Sequence, residues 1–258
     1  METFTLSLPL LCMICFFVFL AGFVDAAAGG GGLISLPAYI ASGMPVHMAY
    51  GCNKFSSAYG TALASVRFFK RRSMDVKVAL LAAAGSFIGS GIAAHIVLML
   101  DDQILKRIVI IFLPVAAAVI FLNRGYGTEN HSDGLSKRQK IVFSLLIGLL
   151  IGFYDGMVGP GTGTFAIIAF SILMKYDLKM ASGNAKLLNL ASNYASLITY
   201  AVNGNVFWIA AVPAAFCNVL GSYFGSGLAL KKGAAFIRPM ILCVMILLMF
   251  KLVSDIIL

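Results

Sequence analysis

Ten apolar runs, bounded by charges and Gly/Pro punctuation, take up almost all of this 258-residue chain: Leu6–Ala28, Leu33–Ala41, Met48–Phe69, Val76–Leu100, Ile104–Leu122, Ile141–Val158, Phe165–Met174, Met180–Val202, Val206–Leu230 and Pro239–Leu258. A helix needs about 20 apolar residues to cross a hydrocarbon core of roughly 30 Å. Eight runs are of that order. Leu33–Ala41 and Phe165–Met174 are half as long, so each reads as a half-helix, a re-entrant segment or the continuation of a broken helix. With 60% hydrophobic and 11% charged residues, the composition leaves no stretch for a separate soluble domain. The expected fold is an all-α integral membrane protein with 8–10 transmembrane helices, some broken or half-length, forming a single transmembrane domain over 1–258. No Lys or Arg precedes the first run and further spans follow at once, so it reads as a retained helix and not a signal peptide.

The chain also repeats itself. Gly22, Phe23, Asp25, Gly29 and Gly31 recur as Gly152, Phe153, Asp155, Gly159 and Gly161, an offset of 130 (152 minus 22). Ala49, Gly51 and Lys54 recur as Ala181, Gly183 and Lys186 at 132 (186 minus 54), and "GSFIGSG" from Gly85 recurs as "GSYFGSG" from Gly221 at 136 (221 minus 85). Three blocks in one order predict two copies of a five-segment unit: repeat 1 over about 6–122, a cytoplasmic linker over 123–140, and repeat 2 over about 141–258.

Basic residues set the orientation. The links with Lys70-Arg71-Arg72, Arg124 and Lys137-Arg138-Lys140, Lys175 and Lys179, and Lys231-Lys232 read as cytoplasmic, while Leu100–Gln103 and Asn203–Asn205 carry no Lys or Arg. Lys106-Arg107 is a mild exception. Met48–Phe69 then ends on the face where Met180–Val202 begins, so the copies run in opposite senses. Inverted repeats of this kind place transport sites near the midplane between halves. Topology thereby accounts for the formal net charge of +9, and nucleic acid is excluded as a partner; the expected partners are the lipid bilayer and a small anionic substrate, with a homo-oligomer left open.

Four ionisable side chains fall well inside apolar runs: Asp25, Lys54, Asp155 and Lys186. Each costs about 3 kcal/mol at a bilayer centre, so they are paired, neutralised or facing water. One reading is an Asp–Lys pair, within or between repeats, that fixes helix register. The other makes the lysines attract an anion while Asp25 or Asp155 carries a proton or orients a lysine. The clusters "AGGGG" (Ala28 to Gly32) and "GPGTG" (Gly159 to Gly163) each separate a long run from a short one. They read either as close-packing surfaces or as helix breaks whose N–H groups, at Gly31, Gly32, Gly161, Thr162 and Gly163, face an anion. Asn53, Ser56 and Ser57 follow the first break; Asn184, Asn189, Ser192 and Asn193 follow the second, with Lys186, Asn189 and Asn193 on one helical face. Thr162 and Thr164 add hydroxyls, so the second break is expected to make more of the polar contacts to substrate. No Ser–His or Cys–His combination and no metal-ligand spacing stands out, and the five cysteines lie in apolar runs. No enzyme, cofactor or metal is expected.

These motifs, "GFVDAAAGGGGLISLPAYIASGMPVHMAYGCNKF" and "GSFIGSG" in the first half with "GFYDGMVGPGTG", "SGNAKLLNLASN" and "GSYFGSG" in the second, resemble the sulfite exporter TauE/SafE family of permeases, in its YfcA-like branch. Cys52 stands where that branch commonly has Thr, and Pro160 where the family has Gly. The resemblance implies multi-pass transport, without ATP, of sulfur-containing anions such as sulfite or organosulfonates across the cell membrane, a bacterial inner membrane. An inside-negative potential of 100 mV is worth about 2.3 kcal/mol per charge, so an uncoupled anion carrier runs outward, whereas import needs protons on Asp25 or Asp155. A non-transporting scaffold or assembly factor and an anion channel are the competing readings.

Overall fold

The computed structural model describes residues 6–101, 104, 127 and 129–257. The run expected at 104–122 and most of the link up to 128 lie outside the described residues. Nine α-helices form among the rest: α1 Leu8–Ala28, α2 Gly32–Ala41, α3 Val46–Lys70, α4 Val76–Met99, α5 Lys137–Met157, α6 Thr162–Leu173, α7 Leu178–Val202, α8 Trp208–Lys232 and α9 Ala234–Ile257. Their starts have local causes. The Asp75 carboxylate accepts the Val78 N–H at α4, the Asp177 carboxylate accepts the Lys179 and Met180 N–H groups at α7, and Ser136 with Gln139 forms a capping box at α5.

By length and composition α1, α4, α5 and α8 can each cross a membrane. The 25-residue α3 and α7 carry the lysines and amides instead, and they turn these towards the other helices: Asn53, Lys54, Asn184, Lys186, Asn189 and Asn193 are all buried. The short helices double back. Leu36 and Tyr39 of α2 join an apolar cluster with Ile14 and Val18 of α1, and the Ser144 hydroxyl near the start of α5 reaches the Met174 sulfur just past the end of α6. Each long–short pair is therefore a helical hairpin, and the two short runs are separate half-length helices.

The halves interlock. Gly85 and Gly89 of α4 press on Leu149 of α5, and Gly148, Gly152 and Gly156 of α5 press back on Ala82, Ser86 and Ser90; a Cβ on Gly152 would lie 2.5 Å from the Ser86 Cα. In the same way Gly22 of α1 meets Asn218 of α8, and Gly221 and Gly225 of α8 meet Phe19 and Phe23. So the first helix of each half packs on the fourth of the other through glycine seams. At the centre, α3 and α7 run antiparallel: Gly51 near the start of α3 abuts the Asn205 carbonyl beyond the end of α7, and Gly183 near the start of α7 abuts the Ser73 carbonyl beyond the end of α3. Two apolar clusters close the ends. One gathers Met44, Ala49, Tyr50, Val97, Tyr200 and Val206; the other gathers Phe68, Met74, Ile147, Met174, Tyr176 and Ala229.

Candidate functional site

The two glycine-rich breaks meet between those clusters. Gly29, Gly30, Gly159 and Gly161 all have positive φ (76°, 92°, 84° and 86°), a backbone only glycine adopts without strain. Gly29 lies against Gly163 so closely that a Cβ on Gly163 would come within 2.6 Å of the Gly29 Cα. The Thr164 hydroxyl donates across the junction to the Ala28 carbonyl at 2.9 Å.

Around this junction lies a small polar cavity. The first break contributes Asp25, Gly30 and Gly32, and α3 contributes Asn53, Lys54 and Ser57; the second break contributes Asp155, Gly159, Thr162 and Gly163, and α7 contributes Asn189 and Asn193. Every lining residue comes from a hairpin or from a central helix. The site is thus built by the interlocking of both halves.

Both charge pairs cross between halves. The Lys54 ammonium donates to Asp155 Oδ2 at 2.6 Å and to the Asp155 carbonyl at 2.9 Å. The Thr162 hydroxyl shares its proton between Asp155 Oδ1 (2.8 Å) and the Gly159 carbonyl (2.6 Å), so both oxygens of this carboxylate are engaged. The other pair is looser. Lys186 donates to the Asp25 carbonyl, but its Nζ is 3.5 Å from Asp25 Oδ2, and Asp25 Oδ1 accepts the Gly31 N–H at 3.3 Å. The side chain of Asp25 is 15% exposed, against 4% for Asp155. Two lysines and two aspartates sum to zero, which holds down the cost of four charges at membrane depth.

Unused hydrogen-bonding capacity faces the same space. Asn193 is 3% exposed, lines the cavity, and its Nδ2 has no hydrogen-bond partner among the described residues. A buried donor left unmade costs about 1–3 kcal/mol, so this amide is a ready contact for a ligand acceptor.

Some expected residues stand elsewhere. Lys186 is fully buried behind Asp25 and does not line the cavity; nor do Gly31 and Gly161, which lie in the breaks themselves. Thr164 turns away to the junction. Asn184 lies at one end of the molecule, where its Oδ1 accepts the Asp75 N–H at 2.9 Å. Its counterpart at offset 132 is Cys52 (184 minus 132), whose sulfur accepts the Phe207 N–H at 3.3 Å at the other end. Asp75 and Phe207 are themselves 132 apart (207 minus 75) and are the N-caps of α4 and α8. Cys52 therefore stands outside the cavity lining, and with Asn184 it ties down the two end loops. Sequence reasoning missed Ser35, which donates to Asn53 Oδ1 at 2.5 Å, and Asn218, buried beside Gly22 and Gly60. Asn218 had one available signal, as an amide within an apolar run.

Helices long enough to span a membrane, two helical hairpins meeting at their glycine breaks and a polar cavity between interlocked halves fit a multi-pass membrane protein of the permease class. The comparisons agree with that class. Residues 14–252 match the family described as "Sulfite exporter TauE/SafE". The chain is 36% identical to the probable membrane transporter protein YfcA of Escherichia coli (strain K12), over 99% of this chain and 95% of that one. It is 33% identical to a probable membrane transporter protein of Haemophilus influenzae, over 97% of each, and 34% identical to the probable membrane transporter protein ORF9 of a Sinorhizobium species, over 97% and 95%. No solved structure matches. The chain belongs to the sulfite exporter TauE/SafE family and is a membrane transporter.

Proposed function

We propose that the chain is a secondary transporter of the cell membrane that exports small sulfur-containing anions such as sulfite or organosulfonates. The two halves act as an inverted repeat and rock against each other, exposing the cavity to one face at a time. The observation that carries this reading is the meeting of two helix breaks, one from each half, at a cavity lined by Lys54 and by the unpartnered amide of Asn193. The donors on offer, an ammonium, an amide and two helix N-termini, suit the oxygens of a sulfite or sulfonate group. Lys54 holds the anion directly; Lys186 acts through Asp25.

Efflux of sulfite and of methanesulfonate from loaded proteoliposomes tests this. Wild type releases the anions, Lys54→Met loses at least tenfold in rate, and Lys186→Met loses rate through its effect on Asp25. The pairing of all four charges also fits a non-transporting scaffold in which they only fix helix register. A folded wild-type protein that neither moves these anions nor gains thermal stability from them decides for the scaffold.

A further inference from the structure

The neutral charge set of the cavity constrains what crosses with the anion. Unliganded, the site holds Lys54 with Asp155 and Lys186 with Asp25 and carries no net charge. A monoanion entering it leaves one uncompensated negative charge next to two carboxylates at membrane depth, where like charges in low dielectric drive one group to take up a proton. We infer that one proton travels with each monoanion and that it sits on Asp25. This rests on the anion-transport reading above and adds the transported species and the coupling ratio.

The two aspartates are not equivalent candidates. Asp155 has Lys54 at 2.6 Å on one oxygen and the Thr162 hydroxyl at 2.8 Å on the other, so a proton there would break a short ion pair. Asp25 has one N–H contact of 3.3 Å and an ammonium at 3.5 Å, and it opens into the cavity. Its protonation leaves Lys186 anchored on the Asp25 carbonyl, behind the cavity, with a charge that the Asp25 carboxylate no longer offsets. It also weakens the hold of Oδ1 on the Gly31 N–H, releasing a donor at the start of α2, where the carboxylate otherwise occupies the position an anion would take. Among the described residues, the charged groups around Asp25 are Lys186 from α7, Lys54 from α3 and, across the cavity, Asp155 from α5. The α2 and α6 helices bring only backbone and the Thr162 hydroxyl, α8 brings Asn218 beside Gly22, and α9 brings Val244 beside Gly30.

Paired movement of A⁻ and H⁺ is electroneutral, so the pH and anion gradients, and not the potential, set its direction, and export runs only while the outward anion gradient exceeds the opposing inward proton gradient. The test uses full-length protein in proteoliposomes loaded with methanesulfonate, an anion with no proton of its own to carry at the pH used, with the potential clamped by potassium and valinomycin. Wild type is expected to shift its equilibrium anion ratio tenfold for each unit of pH difference and not at all for a potential of about 60 mV, the value that shifts an electrogenic carrier tenfold. Efflux raises internal pH, one proton per anion. Asp25→Asn reverses both dependences: it ignores pH and follows the potential, while Asp25→Glu keeps the coupling. Wild-type flux that follows the potential and moves no protons overturns the inference whatever the variants do, and so does proton coupling that survives in Asp25→Asn. Absence of any flux from folded wild type, for sulfite as well as methanesulfonate, instead removes the transport reading on which the inference stands.

Discussion

Lys54 and Asp155 lie 101 residues apart, are both almost fully buried, and hold each other at 2.6 Å. Removing one member of such a pair leaves a buried charge without compensation and costs about 3–5 kcal/mol, whereas removing both costs far less. Lys54→Met and Asp155→Leu are each expected to lose about 3 kcal/mol, and the double variant to regain most of it while remaining inactive. Thermal unfolding of the four proteins in detergent reads this cycle; losses that simply add would mean the two side chains do not depend on each other. The lysines and aspartates were legible in the sequence because charge at membrane depth is expensive. Their partners were not: in-repeat spacings of 29 (54 minus 25) and 31 (186 minus 155) are as compatible with pairing inside a half as across it, and only the interlocking settles it. Asn184 was misplaced for a related reason. Two residues from Lys186 along a helix is a turn of about 200°, so motif proximity put it beside the lysine while geometry sent it to an end loop.

The breaks between α1 and α2 and between α5 and α6 bring the hairpins into backbone contact, and no side chain fits there. A Cβ on Gly29 would overlap the Gly163–Thr164 backbone, at a φ of 76° that itself disfavours any other residue. Gly29→Ala is therefore expected to lose transport and several degrees of melting temperature. Gly91→Ala, whose Cβ would meet nothing nearer than 4.0 Å, should change neither. Equal tolerance of the two alanines in a flux and melting comparison would show that the hairpin junction is not tightly packed in the working protein. Helix boundaries were readable to within a few residues because apolar runs, glycines and capping residues punctuate them; Val76–Met99 and Leu178–Val202 differ from the expected runs by one and two residues at one end. What periodicity could not convey was that α3 and α7 sit innermost. Their polar composition makes them the least membrane-like of the long segments, and they bury their lysines and amides against the other helices while Tyr59, Val66, Tyr194 and Ile198 stay exposed.

At the scale of the whole molecule α3 and α7 are held together by a close backbone contact at each end. At one end Gly51 sits against the Asn205 carbonyl; at the other Gly183 sits against the Ser73 carbonyl, and these four positions are two pairs related by the same offset of 132 (183 minus 51, 205 minus 73). Each contact has its own tie, Cys52 to Phe207 and Asn184 to Asp75. On the rocking motion proposed above, one contact would open while the other stays closed, because packed interfaces switch between discrete arrangements and do not deform continuously. A methyl group added to either glycine cannot coexist with the closed contact on its own side, so it should bias the molecule towards opening there. With the five native cysteines replaced by serine and Ser57→Cys placed in the cavity lining as a reporter, Gly51→Ala is expected to speed labelling by a membrane-impermeant thiol reagent from the face that bears Asn205. Gly183→Ala should speed it from the face that bears Ser73. Labelling in right-side-out and inside-out vesicles separates the two faces. If both variants, folded and inserted, expose the reporter thiol to the same face, the ends are not two gates of one alternating mechanism and the rocking of the halves is wrong.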